Sequence, residues 1–371
     1  MAKARAVVQV GDRQYEIQQF EIPHAGAGDA VMRVEACGIC GSDVDQYDGK
    51  LNGMGLKLPV IPGHEPVGII EEIGADAARR WGIDVGDRVV VEPVLGCGRC
   101  RACMQGASRR CRTGRPGTAI AACGFIPTHV VPSLYGGLAE FMYLDPSAAL
   151  HKVSRDLPAE LAALYQPIAA GLSWAYREPG TRVGDTVAIF GAGQRGLACV
   201  VAAREAGAAK VFMIARRQSA HRLKLAQEFG ADAAIFADED VPARIRDLTR
   251  GEGADVVIDV TSEAMDPIRQ AIDIAKPGGT VVLAGVKGWG AAIPGLENDR
   301  IFSKELTIKG VKNADFRSFE VAVQLLESRK YPLEKMHTHT FALNEIDRAI
   351  RTLAGRVAGE NAVSVSINPA L

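Results

Sequence analysis

Thr186-Val187-Ala188-Ile189-Phe190-Gly191-Ala192-Gly193-Gln194-Arg195-Gly196 is the stretch that decides how the second half of this chain folds. Residues 186–190 have the length and apolar content of a buried strand, and they run straight into glycines spaced G-x-G-x-x-G. Residues 197–206 then continue with helical character. Between a strand and a helix, such glycines have separable roles. The first allows a tight turn, the second lets the backbone approach a pyrophosphate, and the third lets helix and strand pack closely. The helix N-terminus that follows favours a phosphate. Gly191, Gly193 and Gly196, with Gln194 and Arg195 between them, are therefore expected to cradle a dinucleotide. An ordinary glycine-rich turn is the plainer alternative.

Working outward, the next strand covers 210–214 and ends at Ala215-Arg216-Arg217. It lies about 20 residues past the glycines, where an acidic side chain normally holds the adenosine ribose. That carboxylate is missing, so a 2′-phosphate is not repelled, and Arg216 or Arg217 can pair with it. NADP is accordingly expected over NAD; arginines that are merely solvated at a helix start would leave both open. Downstream the alternation persists, with helices at 220–229, 241–250 and 267–275 and strands near 233–236, 255–260 and 280–285. Pro277-Gly278-Gly279 reads as the turn into that last strand, and 306–311 reads as a further one. Strand alternating with helix means a doubly wound parallel sheet, an α/β fold.

Upstream the character differs. Short strands at 4–10, 30–37, 67–73 and 87–92 are punctuated by glycine and proline, and 156–177 reads as helical, broken near Pro167 and closed by Pro179-Gly180. At 371 residues the chain exceeds the usual ~150 per domain, so two domains are expected. Lys and Arg number 43 against 44 Asp and Glu, which gives no reason to expect a nucleic-acid or anionic-membrane partner. No long apolar run marks a leader or a membrane span, and a cytoplasmic protein is expected.

The chemistry concentrates in two places. Cys37-Gly38-Ile39-Cys40-Gly41-Ser42-Asp43 and Gly63-His64-Glu65-Pro66 bring a thiol, a hydroxyl, carboxylates and an imidazole into one short segment. Cys40, His64 and Glu65 make a donor set that suits zinc and leaves a coordination position open; a buried thiol beside an unrelated His-Glu pair is the plain alternative. Farther on, Cys97-x2-Cys100-x2-Cys103-x7-Cys111 supplies four thiolates that can close a tetrahedral shell, which is structural and does no chemistry. Arg99, Arg101, Arg109, Arg110 and Arg112 make this lobe, about 92–115, locally basic. A nucleic-acid ribbon is the alternative, but there is no aromatic platform beside it.

Taken in order, these motifs resemble the zinc-dependent medium-chain alcohol dehydrogenases, and within them the polyol and threonine dehydrogenase branch. The resemblance implies a GroES-like, mostly-β catalytic domain at 1–168 and 308–371 around a Rossmann domain at 169–307, with substrate in the cleft between them. It implies Cys40, His64 and Glu65 as catalytic zinc ligands, Ser42 as first proton acceptor, Asp43 as their support, and Cys97, Cys100, Cys103 and Cys111 on a structural zinc. It also implies a small-molecule alcohol or carbonyl substrate and a homodimer or homotetramer.

Two positions depart from the branch's pattern. Gln166-Pro167 stands where Glu-Pro is usual, so Gln166 becomes a neutral candidate ligand, and Asp45 stands where a relay histidine often lies. Pocket walls are expected among Tyr47, Leu51, Met54, Phe125, Trp289 and Leu296, while Asp45, Asp48 and Asn52 would suit a polyol. A zinc-free enone or quinone reductase leaves Cys40, His64 and the cysteine lobe without purpose. A non-catalytic nucleotide sensor leaves the ligand set and the hydroxyl without purpose.

Overall fold

In the computed structural model, which describes residues 2–112, 120–288 and 290–371, Thr186–Phe190 is the first strand in sequence of a six-stranded parallel sheet. Its spatial order is Ala233–Phe236, Lys210–Ala215, Thr186–Phe190, Ala254–Asp259, Ala275–Leu283, Thr307–Gly310. Numbered within this sheet, that is the 3-2-1-4-5-6 order of a Rossmann fold. Val187, Ala188 and Ile189 are fully buried, as strands covered on both faces must be, and so they read as a continuous apolar run. Helices Gln194–Glu205, Ala220–Glu228, Val241–Leu248 and Asp266–Ile274 alternate with the strands. The third of these is started by Asp240, whose side chain accepts from the Ala243 N–H at 3.0 Å, with Pro242 just inside the first turn.

The chain divides into two units, Met1–Gln166 with Asp315–Leu371, and Pro167–Ala314. The second boundary falls later than the 307/308 junction expected from sequence. The reason is hydrogen bonding: Thr307–Gly310 pairs in parallel with Ala275–Leu283 and is the sixth strand of the nucleotide-type sheet.

Two local readings are corrected. The helical region breaks before Tyr165 rather than at Pro167, giving Ala159–Ala162, Tyr165–Leu172 and a π-helical turn Ser173–Arg177. Pro167 is the third residue of its helix, where the missing N–H costs no intrahelical bond. Pro277-Gly278-Gly279 lies inside the strand Ala275–Leu283 rather than ahead of it. Pairing jumps from Ala254↔Ala275 to Val256↔Thr280, so the extra residues bulge out where proline has no N–H for the ladder.

The first unit carries a seven-stranded sheet ordered His337–Phe341, Ser364–Ile367, Ala30–Ile39, Glu65–Ile73, Arg88–Val91, Leu150–Lys152, with Phe141–Leu144 also pairing with Ala30–Ile39. Lys3–Gly11 and Gln14–Glu21 form a separate antiparallel pair. Ser364–Ile367 lies antiparallel to the end of Ala30–Ile39, which is why the C-terminal segment belongs with this unit. Apolar clusters support it, one around Met32, Ile70 and Val89, another around Val7, Ile39 and Val365, and a third around Ala4, Val8 and Ile61.

Candidate functional site

Strand Ala30–Ile39 ends directly before Cys40, which caps helix Gly41–Tyr47. The cap is made by Asp43: its Oδ2 accepts the Cys40 backbone N–H at 2.8 Å. Strand pairing places Glu65 opposite Gly38, and a Cβ at Gly38 would stand 2.7 Å from Glu65 Oε2. Gly63, at φ +92°, turns the chain into His64, and a Cβ there would stand 2.7 Å from the Leu138 nitrogen. These constraints deliver Cys40, His64 and Glu65 to one place. Their ligand atoms lie within 4.8 Å of one another, and all three residues are buried.

Around them, the Ser42 hydroxyl lies 3.2 Å from both Cys40 Sγ and His64 Nε2. His64 Nδ1 faces Asp43 Oδ1 at 3.2 Å. Burial works to keep His64 neutral, but the Asp43 carboxylate, with Cys40, outweighs it and raises its pKa well above the ordinary value. The pocket of donors therefore attracts positive charge. A thiolate, an imidazole and a carboxylate held this close fit a zinc ion.

Gln166 is buried at the end of the first unit, next to Tyr165. The Tyr165 hydroxyl donates to Val91 O at 2.6 Å, and burial followed by the Glu65 charge pushes its pKa up. Asp45 is paired with Lys50 at 3.2 Å, partly in solvent. Of the wall candidates, Phe125 stands beside the donors, its ring 5.7 Å from that of His64. Tyr47 does not serve as a wall. It packs into the core with Val7 and Ile39, its hydroxyl bonded to Asp347. Met54 is exposed, Leu296 is exposed in the other unit, and Trp289 lies outside the described residues.

The sulfurs of Cys97, Cys100, Cys103 and Cys111 also lie within 4.8 Å of one another. Cys100 Sγ is 3.5 Å from Cys103 Sγ and 3.9 Å from Cys111 Sγ. A tetrahedron with Zn–S of about 2.3 Å has S···S edges of about 3.8 Å, so the cluster fits the ion. Burial, then the Cys100 thiol, pushes Cys103 up to about 12, which marks a group of thiols that crowd one another until a cation joins them. Residues 113–115 of the lobe lie outside the described residues. Arg109 is buried within the unit, 4.0 Å from Asp315, and so is not part of an exposed basic face.

In the second unit the three glycines take distinct stations. Gly191 has φ +105°, nothing lies within 4 Å of a Cβ at Gly193, and a Cβ at Gly196 would stand 1.8 Å from Gly191 O. Turn, open approach and close packing are thus all present. Gln194 is buried, and the Arg195 guanidinium lies 5.3 Å from the Trp174 ring centroid. Arg216 is exposed at the end of Lys210–Ala215, whereas Arg217 pairs with Asp238 at 2.6 Å and lies over Phe236. Arg222 escaped the sequence reading. Burial, then the charge of Arg216, lowers its pKa, so the two arginines form one cationic corner. The available signal was a third arginine in the first turn of the helix after Arg216-Arg217.

Comparison with known proteins agrees with this arrangement. The family model described as Alcohol dehydrogenase GroES-like domain matches residues 26–155, and that described as Zinc-binding dehydrogenase matches 196–328. The chain is 41% identical over 359 residues to a protein of Mycobacterium tuberculosis named probable alcohol dehydrogenase, covering 96% of each. It is 34% identical to the erythritol/L-threitol dehydrogenase of Mycolicibacterium smegmatis, covering 99% of this chain and 98% of that one. Among solved structures it is similar to a protein of Sinorhizobium meliloti 1021 described as a zinc-binding dehydrogenase bound to NADP, with TM-score 0.85, 29% identity and full coverage of both. It is also similar to an alcohol dehydrogenase of Thermotoga maritima, with TM-score 0.86, 28% identity and coverage of 99% and 100%. With its two family segments in order and a relative this similar along nearly its whole length, the chain belongs to the zinc-binding alcohol dehydrogenases.

Proposed function

We propose that this enzyme transfers hydride between a secondary alcohol or polyol, or the matching carbonyl, and NADP, with Cys40, His64 and Glu65 as ligands of a catalytic zinc. The carrying observation is the buried convergence of those three side chains with the Ser42 hydroxyl 3.2 Å from two of them. Zinc, when bound, supplies Lewis acidity that makes a substrate hydroxyl easier to deprotonate. Cys40 thiolate and Glu65 carboxylate balance its charge, and Gln166, if it joins them, adds none. Asp43 fixes His64 by its Nδ1 and so presents Nε2. In oxidation Ser42 Oγ accepts the substrate proton as its own hydroxyl proton passes on to solvent, to which the side chain is partly exposed, and in reduction the relay runs in reverse. No step is assigned to Asp45, whose carboxylate is engaged by Lys50.

On the nucleotide side, Gly191, Gly193 and Gly196 cradle the pyrophosphate, with Gln194 and Arg195 opening the helix behind it. Ala215 ends the second strand without a carboxylate, and Arg216 with Arg222 takes the 2′-phosphate. Cys97, Cys100, Cys103 and Cys111 hold a structural zinc. Cysteines clustered for metal rather than for disulfides suit a reducing, cytoplasmic compartment; no helix among the described residues is long and apolar enough to cross a membrane. The edge strand Thr307–Gly310, with Ile308 exposed, offers a surface for a homodimer or homotetramer.

Among substrates, an apolar group on the carbinol carbon is favoured. Phe125 flanks the donors, while the side chains that would have gripped a polyol are tied elsewhere: Asp48 to Arg13 and Arg356, Asn52 to Asp12, Asp45 to Lys50. The test is reduced-nicotinamide absorbance on zinc-loaded protein with ketones, aldehydes, alcohols and polyols, NADPH and NADH in parallel. Turnover that prefers NADPH and stops with a chelator supports the proposal. Chelator-insensitive turnover, or none with any substrate, removes it.

A further inference from the structure

The C-terminal edge of the parallel sheet contains a buried ion pair that the proposed chemistry does not use. Asp259, fully buried, ends strand Ala254–Asp259, and its Oδ2 lies 2.7 Å from Lys287 Nζ. The other carboxylate oxygen accepts from the Thr261 N–H at 2.9 Å and the Thr261 hydroxyl at 2.6 Å. Lys287 also donates to Thr261 O at 2.5 Å and Thr261 Oγ1 at 2.8 Å. Two of the ammonium protons thus have acceptors on Thr261, the third lies at ion-pair distance from Asp259 Oδ2, and both the N–H and the carbonyl of Thr261 are held.

Position gives this knot its meaning. Thr186–Phe190 and Ala254–Asp259 are neighbours in the sheet and the point where its strand order reverses. Ligands of open α/β sheets bind outside the strand ends at that reversal. Thr261 lies against the fingerprint itself: a Cβ on Gly191 would stand 3.1 Å from Thr261 Cγ2. The same residue abuts the next loop, since a Cβ on Gly285 would stand 1.9 Å from Thr261 O. Backbone bonds from Val260 to Phe190 O and from Glu263 to Val286 O tie the three loops together.

We propose that Lys287 is a positioning residue for the cofactor: it cancels the Asp259 carboxylate beneath an anionic dinucleotide and fixes Thr261 against the first fingerprint glycine. The proposal rests on the nicotinamide-nucleotide reading of this sheet. It assigns Lys287 no contact with reacting atoms, because its ammonium group is engaged by Thr261 and paired with Asp259 within the knot. Without Lys287, the charge of the buried carboxylate at the strand end beside the fingerprint is uncompensated, and repulsion of the anionic cofactor follows.

The test uses full-length, zinc-loaded protein and measures Kd for NADPH by fluorescence, with kcat at saturating NADPH, for the native chain, K287Q, K287R and D259N/K287Q. Lys287→Gln is expected to raise Kd about tenfold or more while leaving saturated kcat nearly unchanged. Lys287→Arg keeps the charge and is expected to stay within about threefold of native. D259N/K287Q, which removes both charges but keeps hydrogen-bonding groups, is expected to recover most of the lost affinity. An unchanged Kd in K287Q overturns the proposal, as does an equal loss in K287Q and the double variant, which would make the knot a scaffold only. If K287Q does not fold, the double variant and K287R decide: a tenfold loss in both overturns the role, and near-native binding in both supports it. Native protein that binds neither NADPH nor NADH instead removes the nucleotide reading on which the proposal stands.

Discussion

His64 Nδ1 lies 3.2 Å from Asp43 Oδ1, while the other Asp43 oxygen holds the Cys40 N–H at 2.8 Å. One buried carboxylate therefore fixes the ring of one proposed ligand and the backbone of another. In Asp43→Asn the amide can still cap Cys40, but its NH2 faces Nδ1 and favours the tautomer with the proton on Nε2, the nitrogen meant for the metal. Zinc affinity is expected to fall about 10- to 100-fold, read by competition with a coloured chelator. Native affinity in the variant would show that the pair only fills space.

The cysteine lobe predicts a different signature. Cys103→Ser or Cys111→Ser removes one corner of a four-sulfur cluster far in sequence from Cys40. Native mass spectrometry is expected to count two zinc ions per native chain and one in either variant, with a lower Tm because metal binding and folding of such a lobe are linked. Retention of both ions would mean that three sulfurs suffice and the fourth is dispensable.

Asp48 predicts a pH dependence of stability. Its hydrogen bond from Arg356, against the opposing effect of burial and aided by Arg13, holds its carboxyl at about 2 against the ordinary 3.8. A depressed folded-state pKa gives stability that is present above the unfolded value and is lost as pH falls through the folded one. The full shift would correspond to about 2.5 kcal/mol, and about 1 to 2 is expected because both guanidinium groups are partly in solvent. Thermal melts should show Asp48→Asn less stable than native above pH about 4, with the gap closing towards pH 2. A gap independent of pH would assign the loss to packing instead.

Arginine contributions should divide unequally. Arg217 is paired with Asp238 and lies over Phe236, and Arg222 feels the charge of Arg216. Arg222→Ala or Arg216→Ala is expected to weaken NADPH binding by about 1.5–3 kcal/mol while changing NADH little. Arg217→Ala should have the smaller effect. Equal losses for both nucleotides would remove the 2′-phosphate assignment.

The sequence made the fingerprint legible because its glycines follow one another at a short, fixed spacing between a strand and a helix, even though Val260 and Thr261 also pack on Gly191. The cysteine lobe was legible for the same reason. What escaped depended on distant pairing. Asp259 and Lys287 meet only because two strands of the sheet run side by side, and Arg222 joins Arg216 only after a helix begins. Tyr47 looked like a pocket wall because residue type was visible and helix face was not. The bulge at Pro277 and the sixth strand at Thr307 were likewise matters of register, which a single segment does not encode.

Phe125 carries the prediction on substrate preference. Its loop is rigid: Gly124, at φ +81°, packs on the backbone of Gly63, and its N–H is bonded to Tyr135 O at 3.0 Å while its carbonyl accepts from Gln46. The backbone beside Phe125 is therefore held, with the ring standing 5.7 Å from that of His64. A fixed aromatic wall rewards an apolar substituent and leaves a hydroxylated one without partners, a difference of about 1–3 kcal/mol for one side chain. Phe125→Thr shrinks that wall and adds a hydroxyl. It is expected to lower kcat/KM for an aliphatic or aryl secondary alcohol about tenfold and to raise the ratio for a polyol over that alcohol by at least as much. If both substrates change by the same factor, Phe125 supports His64 without selecting the substrate, and preference must be sought in side chains farther from the donors.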